Sequence, residues 1–297
     1  MTRSVGAAPA SRVWTRLRAA LFCATAALAL MSAGAASGAD AGADPRAILF
    51  PNRWVGPILD EGVSNLSGIS YHPRRETLFV GSDKGKIREI LRSGTELNER
   101  QEEGADFEGV TYNPGSGLLY LAVEGRDEIV EVDPVSLEIL RRFPIERTFE
   151  AAAVLAEEGH GIESIAFVPN PALRHGGTFF VSNQSFARAA RADPSVLLEV
   201  DAPLRSPGDG PARILRVIDL GVIDLSALHY HGATDRLYAV SDAANALFES
   251  TREGAIVRAC AFPGDNQEGL AVDGDGYLYI AQDSGGVIKL EWLSGGS

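Results

Sequence analysis

Three glutamates, Glu108, Glu163 and Glu268, open short apolar runs in closely similar settings: E-G-V, E-S-I and E-G-L. Ser67 and Ser226 take the equivalent place in S-G-I and S-A-L. A second acidic set closes the run that follows each of them: Asp83, Glu124, Asp242 and Asp283, with Gln184 in the remaining copy. Carboxylates are poor strand formers, so their recurrence at strand ends asks for a reason. If they are brought together they repel one another, and the group either takes up protons or holds a cation. Oxygen-only donors, with no cysteine or histidine in register, suit a hard ion. Ca2+ tolerates irregular coordination better than Mg2+ does.

The elements that must position these groups repeat along the chain. "NLSGISYHPRRETLFVGSD" from Asn65, "DFEGVTYNPGSGLLYLAVE" from Asp106 and "GIESIAFVPNPALRHGGTFFVSNQ" from Gly161 are followed by "DLSALHYHGATDRLYAVSD" from Asp224 and "NQEGLAVDGDGYLYIAQD" from Asn266. Each joins two strand-like runs through a turn rich in Pro, Gly, Asn and Asp. The second run carries an aromatic near its start: Phe79, Tyr120, Phe180, Tyr238 and Tyr279. The interval is 16 residues for Ser67 to Asp83, Glu108 to Glu124 and Ser226 to Asp242, 15 for Glu268 to Asp283 and 21 for Glu163 to Gln184. A third and often a fourth run follow each hairpin. Four strands in units of about 40 to 60 residues predict an all-β protein, a β-propeller of five four-stranded antiparallel blades. The last unit lacks its fourth strand, and "RWVGPIL" (53–59) can supply it and close the ring. The stretch 145–160 is expected to be a loop or a short helix.

In a propeller the first strand of each blade lies nearest the axis and the second returns antiparallel beside it. Glu108, Glu163 and Glu268 therefore converge with Ser67 and Ser226 on one mouth of the channel, where the three glutamates are the candidate metal ligands. Asp83, Glu124, Asp242 and Asp283 fall on an outer rim as candidate ligand-binding groups. The bland alternative is that the glutamates clasp backbone N–H groups of the next blade, and that Asp106, Asp224 and the rim acids form Asx-turns. His160, just before Glu163, is the one histidine placed to act with Glu163 as an acid or base. "DGDG" at 273–276 lacks the rest of a calcium loop and reads as a hairpin turn, and His229 and His231 read as packing and turn residues.

Residues 1–39 read as a secretory signal peptide or an uncleaved anchor: four arginines without an acid, then the apolar "AALFCATAALALM" and small residues. Residues 40–297 then form a single propeller domain. Within the formal charge of −13, the leader holds four bases and no acid, so the remainder sets 23 bases against 40 acids. No basic patch is visible, which argues against nucleic acid and against an anionic membrane surface, unless the leader is kept as an anchor. Cys260 is the only cysteine outside the leader, so no internal disulfide forms there.

"DFEGVTYNPGSGLLYLAVEG", "DLSALHYHGATDRLYAVSD" and "NQEGLAVDGDGYLYIAQD" resemble the SdiA-regulated (YjiK-like) family of bacterial propellers, distant relatives of NHL-repeat propellers. The resemblance runs over roughly residues 50–293. It implies five blades, an N-terminal export or anchor segment and a bound Ca2+, with Glu108, Glu163 and Glu268 in the matching strands; it implies no activity. The expected protein is an exported monomer, periplasmic or extracellular or held at the inner membrane, that binds a cation and a small ligand or protein at the channel mouth. The competing expectation is a metal-dependent hydrolase of the lactonase or phosphoesterase kind, using Glu163 and His160.

Overall fold

The computed structural model describes residues 51–59, 63–157, 159–187 and 193–293; the expected leader lies outside them. β1 (Asn52–Leu59) precedes the first blade, β2 (Leu66–His72), β3 (Thr77–Ser82), β4 (Lys86–Leu91) and β5 (Glu96–Gln101). Blade two is β6 (Phe107–Tyr112), β7 (Leu119–Val123), β8 (Glu128–Val132) and β9 (Ile139–Pro144). A small hairpin, β10 (Thr148–Phe149) and β11 (Ala152–Ala153), leads to blade three: β12 (Ile162–Pro169), β13 (Gly177–Asn183), β14 (Val196–Asp201) and β15 (Arg213–Ile218). Blade four is β16 (Leu225–His231), β17 (Arg236–Ser241), β18 (Ala246–Ser250) and β19 (Ile256–Ala261). Blade five takes β20 (Gln267–Val272), β21 (Tyr277–Gln282) and β22 (Val287–Trp292) and is completed by β1, which pairs antiparallel with β22. The ring is thus closed by an N-terminal strand, and among the described residues there is no helix.

The innermost strands β2, β6, β12, β16 and β20 contact one another in turn, and β20 meets β2. The apolar core lies between blades rather than inside them. The aromatic near the start of each second strand packs into the layer facing the next blade: Phe79 between blades one and two, Tyr120 between two and three, and Tyr279 between five and one. Across the hairpin these aromatics pair with Ser70, Thr111, Ala166, His229 and Ala271 on the first strands. On the other side of the second strand they face Glu89, Glu131, Glu199 and Glu249, with Lys289 in the last blade. Each of those glutamates is neutralised by an arginine: Arg75, Arg141, Arg216 and Arg258, at 2.5 to 2.8 Å. Four carboxylates of this acidic chain are therefore structural clamps, far in sequence position from the channel residues.

Over 145–160 the chain departs from the expected loop or helix. Glu150 and Ala151 both take positive φ, 48° and 64°, and form the two-residue turn of the β10–β11 hairpin. Both central residues with φ > 0 match the twist of paired strands, whereas an isolated helix this short does not nucleate. Val154 and Leu155 are drawn into the core layer between blades two and three.

Close approach of the innermost strands depends on small residues. A Cβ on Gly109 would sit 2.6 Å from the Ile165 backbone nitrogen and 2.8 Å from Ser164 Cα. These are backbone atoms and have nowhere to go. Gly109→Ala is expected to cost about 2 kcal/mol, on the scale of an overpacked core. The measurement is a fall in the urea midpoint with the slope unchanged.

Candidate functional site

All five innermost strands carry a β-bulge at the same place. Phe107 pairs with Val123 and Gly109 with Ala122, which leaves Glu108 as the extra residue. The same slip singles out Ser67, Glu163, Ser226 and Glu268. A bulge releases one residue from the ladder and re-aims its side chain. The bulge position and the sequence-predicted ring position are therefore the same residues.

Blade two also gathers its own acids. Glu124 N–H donates to the Asp106 carbonyl at 2.9 Å, extending the β6–β7 pairing past the bulge. Asp106, Glu108 and Glu124 each place a carboxylate oxygen within 4.8 Å of the others. Two oxygens bound to one Ca2+ at 2.3–2.6 Å are separated by no more than about 5 Å. Glu124, expected on an outer rim, stands with Glu108. Asp106, expected to cap a turn, joins them, and its Oδ1 is buried without a hydrogen-bond partner.

Glu108 and Glu163 are buried, at 6 % and 7 % exposure. Burial pushes both carboxyls well above the usual range. Charges on Glu163, Glu268, Asp106 and Glu124 raise Glu108 further, and Glu268, Glu124, Asp224 and Asp106 do so for Glu163. The candidate ligands from three blades thus share one field. Around them, burial raises Asp83 and Asp224. Asp242 is pushed up to about 6 by burial first, then by Asp224, Asp265 and Asp283. Asn65 Nδ2 donates to Asp83 Oδ2 at 3.2 Å and to Asp283 Oδ1 at 3.4 Å, tying the rims of blades one and five.

Not every ring position has the same role. Ser226 Oγ donates to the Gln267 carbonyl of the next blade at 2.7 Å, an inter-blade clasp made by a serine hydroxyl on a carbonyl rather than by a glutamate on backbone N–H groups. Ser67 Oγ is 1 % exposed at the residue level and has no partner, and Asp83 Oδ1 is likewise buried and unpartnered. Unpaired buried oxygens beside carboxylates with raised proton affinity are what a hard cation satisfies. The donor set fits Ca2+.

The remaining candidates sort clearly. The His160 ring packs edge-on against Phe186 at 5.4 Å, and its backbone N–H donates to Asp193 Oδ2. Asp273 Oδ1 accepts the N–H groups of Asp275 and Tyr277, so "DGDG" is a capped turn. Asp224 accepts from Ala243 N–H and Gln184 Nε2, bridging blades four and three. His231 Nδ1 meets Thr234 Oγ1 at 2.8 Å in its hairpin turn. No helix among the described residues is long and apolar enough to cross a membrane.

A solved structure shares this fold. A glutaminyl cyclase from Myxococcus xanthus superposes with a TM-score of 0.57 at 12% identity, covering 82% of this chain and 97% of that one. A protein of unknown function from Bacteroides caccae gives a TM-score of 0.45 at 16% identity, covering 73% of this chain and 70% of that one. At 12% identity the likeness to the glutaminyl cyclase is one of fold. No curated protein sequence matches the chain. The sequence profile of the SdiA-regulated family matches residues 57–284, well over half of the chain, and the protein belongs to the SdiA-regulated family.

Proposed function

We propose that the protein is an exported, calcium-loaded binding propeller that uses its acidic channel mouth as the docking face. One observation carries this reading: Asp106, Glu108 and Glu124 each hold a carboxylate oxygen within 4.8 Å of the others, and bulges at the same step of blades three and five release Glu163 and Glu268 from their ladders. Ca2+, when bound, supplies the positive charge that keeps these carboxylates ionised. The chain's own residues hold and shield that charge: Glu108, Glu163 and Glu268 as ligands from three blades, Asp106 and Glu124 as further donors, and Ser67 as a neutral one. Asp83 and Asp242, half-buried, and Asp283, buried, then stand around the loaded centre as hydrogen-bond acceptors for a small ligand or a protein partner. The basic, then apolar, leader supports export, and closure of the ring on itself supports a monomer. The test is calorimetric titration of metal-stripped protein at pH 7.5 with Ca2+ and with Mg2+. Ca2+ is expected to bind at least tenfold more tightly, because the irregular carboxylate set cannot shrink to the octahedron Mg2+ demands. Equal affinity, or no heat with either ion, overturns the assignment.

A further inference from the structure

The channel has a second mouth of opposite character. A cavity of about 300 Å³ lies along the far halves of the innermost strands, beyond the glycine waist at Gly68 and Gly109. Its walls follow the blade repeat. Tyr71, Tyr112, Phe167 and Tyr230, with Val272 in the last blade, form an aromatic collar of one residue per strand. One residue deeper stand Ser70, Thr111 and His229. Ser70 Oγ and the His229 ring nitrogens make no hydrogen bond within the described residues. Thr111 Oγ1 accepts the Phe167 N–H at 3.0 Å and keeps its own proton to donate. No charged side chain lines the cavity. Of the ionic groups that act on the collar tyrosines, Arg92 pairs with Asp273 and Asp275, and Arg252 with Asp235.

We propose that this second mouth is a binding site for a small, flat, uncharged molecule carrying a single hydroxyl or amide group, of about the size of a substituted phenol. The collar supplies aromatic faces and edges for a flat body. A polar trio at the base supplies a donor from Thr111, a donor or acceptor from Ser70, and one of each from a neutral imidazole. The volume is at the small end of natural ligand cavities. The lining carries no counter-charge to repay the hydration an ion would lose on entry. His229 reports the same property: burial first, and then His231, lower its pKa to about 3. The proposal is independent of the cation at the acidic mouth.

The test is saturation-transfer NMR of the full mature chain with para-cresol, 4-methylbenzoate and 4-methylbenzylammonium, run with calcium and again with EGTA. Para-cresol is expected to bind in both buffers, and the two ions at least tenfold more weakly. His229→Phe keeps the ring shape and is expected to weaken para-cresol at least tenfold. Gly232→Trp provides a plug that spares the core: Gly232 lines the cavity, and a Cβ there meets only Tyr230 Cε1 at an ordinary 3.7 Å. With an unchanged melting curve, this variant is expected to lose the para-cresol signal. Absence of para-cresol binding to the wild-type chain, equal binding of the charged analogues, or binding that survives Gly232→Trp would each overturn the proposal.

Discussion

Addition of Ca2+ to the metal-free protein at pH 8 is expected to raise its melting temperature by roughly 10 °C, and EGTA to reverse the rise. A ligand present at a thousandfold above its Kd stabilises the state it binds by about 4 kcal/mol. In a domain of this size that is about 10 °C. The pH dependence gives the prediction its sign. Glu108, Glu163, Asp83, Asp224 and Asp242 all hold their protons more tightly when folded than the unfolded references near 4. Above those unfolded values the native chain binds more protons than the unfolded one, so stability falls as pH rises through the folded values. For Asp242 that window runs from 3.8 to about 6; for Glu108 and Glu163 it extends upward from 4.5. His72, His229 and His231, whose pKa values burial lowers, act with the opposite sign below their unfolded value of 6.5, so it is from about pH 6.5 to pH 8 that the carboxyls alone set the trend and the metal-free protein weakens. Calcium takes the place of the protons, so the loaded protein does not weaken over that range. The gap between the two melting curves opens between about pH 5 and pH 8. Glu163→Gln separates the two roles of the carboxylate. It is expected to raise the metal-free melting temperature by about 3 °C at pH 8, on the scale of 1 kcal/mol, while at least halving the rise that calcium produces. A purely structural clasp would give the opposite sign for the first change and nothing for the second.

Removal of residues 51–59 is expected to be the most damaging change in the fold. β1 is the outer strand of blade five and comes from the other end of the described chain, pairing in register from Asn52 with Trp292 to Leu59 with Val287. Ile58 and Leu59 pack on the layer between blades five and one. The turn of blade one is built around the same strand: a Cβ on Gly94 would collide with the Ile58 carbonyl. Loss of β1 removes those contacts and bares β22 as an unpaired edge. Six register pairs and two partly buried aliphatic side chains amount to on the order of 5 kcal/mol. That is comparable with the whole net stability of an ordinary domain. The truncated chain is expected to lose its cooperative melt in circular dichroism and to aggregate, with or without calcium. A truncated protein that melts within a few degrees of the full chain would show that closure by β1 contributes little.

Periodicity made the ring legible in the sequence, because each blade spends the same residue types at the same steps. Strand-two aromatics, turn residues and the unpaired "RWVGPIL" each left a local signal, and all three fall where expected. Glu108, Glu163 and Glu268 were visible for the same reason, as polar residues at a register otherwise small or apolar. What aligned copies did not reveal was the bulge. An extra residue in one strand alters pairing without altering spacing. In the fold Glu108 is unpaired, and Asp106 faces Glu124 across the extended ladder. Asp106 was unreadable because only blade two has an acid at all three positions, 106, 108 and 124, and the cluster belongs to that blade rather than to the repeat. The clamps formed by Glu89, Glu131, Glu199 and Glu249 were hidden because their arginines come from different places, a turn in blade one and fourth strands elsewhere. The hairpin at 148–153 was missed because alanine and glutamate favour a helix on propensity alone, and the turn at Glu150 and Ala151 depends on tertiary docking.

Metal content per chain tests the central claim most directly. The protein lacking residues 1–39 is dialysed to equilibrium against buffer with micromolar Ca2+ and then analysed for bound elements, beside Glu108→Gln and the double variant Glu108→Gln, Glu163→Gln. The account predicts close to one calcium per wild-type chain, a reduced content in Glu108→Gln, and none above background in the double variant. A wild-type chain without bound calcium, or a double variant that keeps its ion, would contradict it.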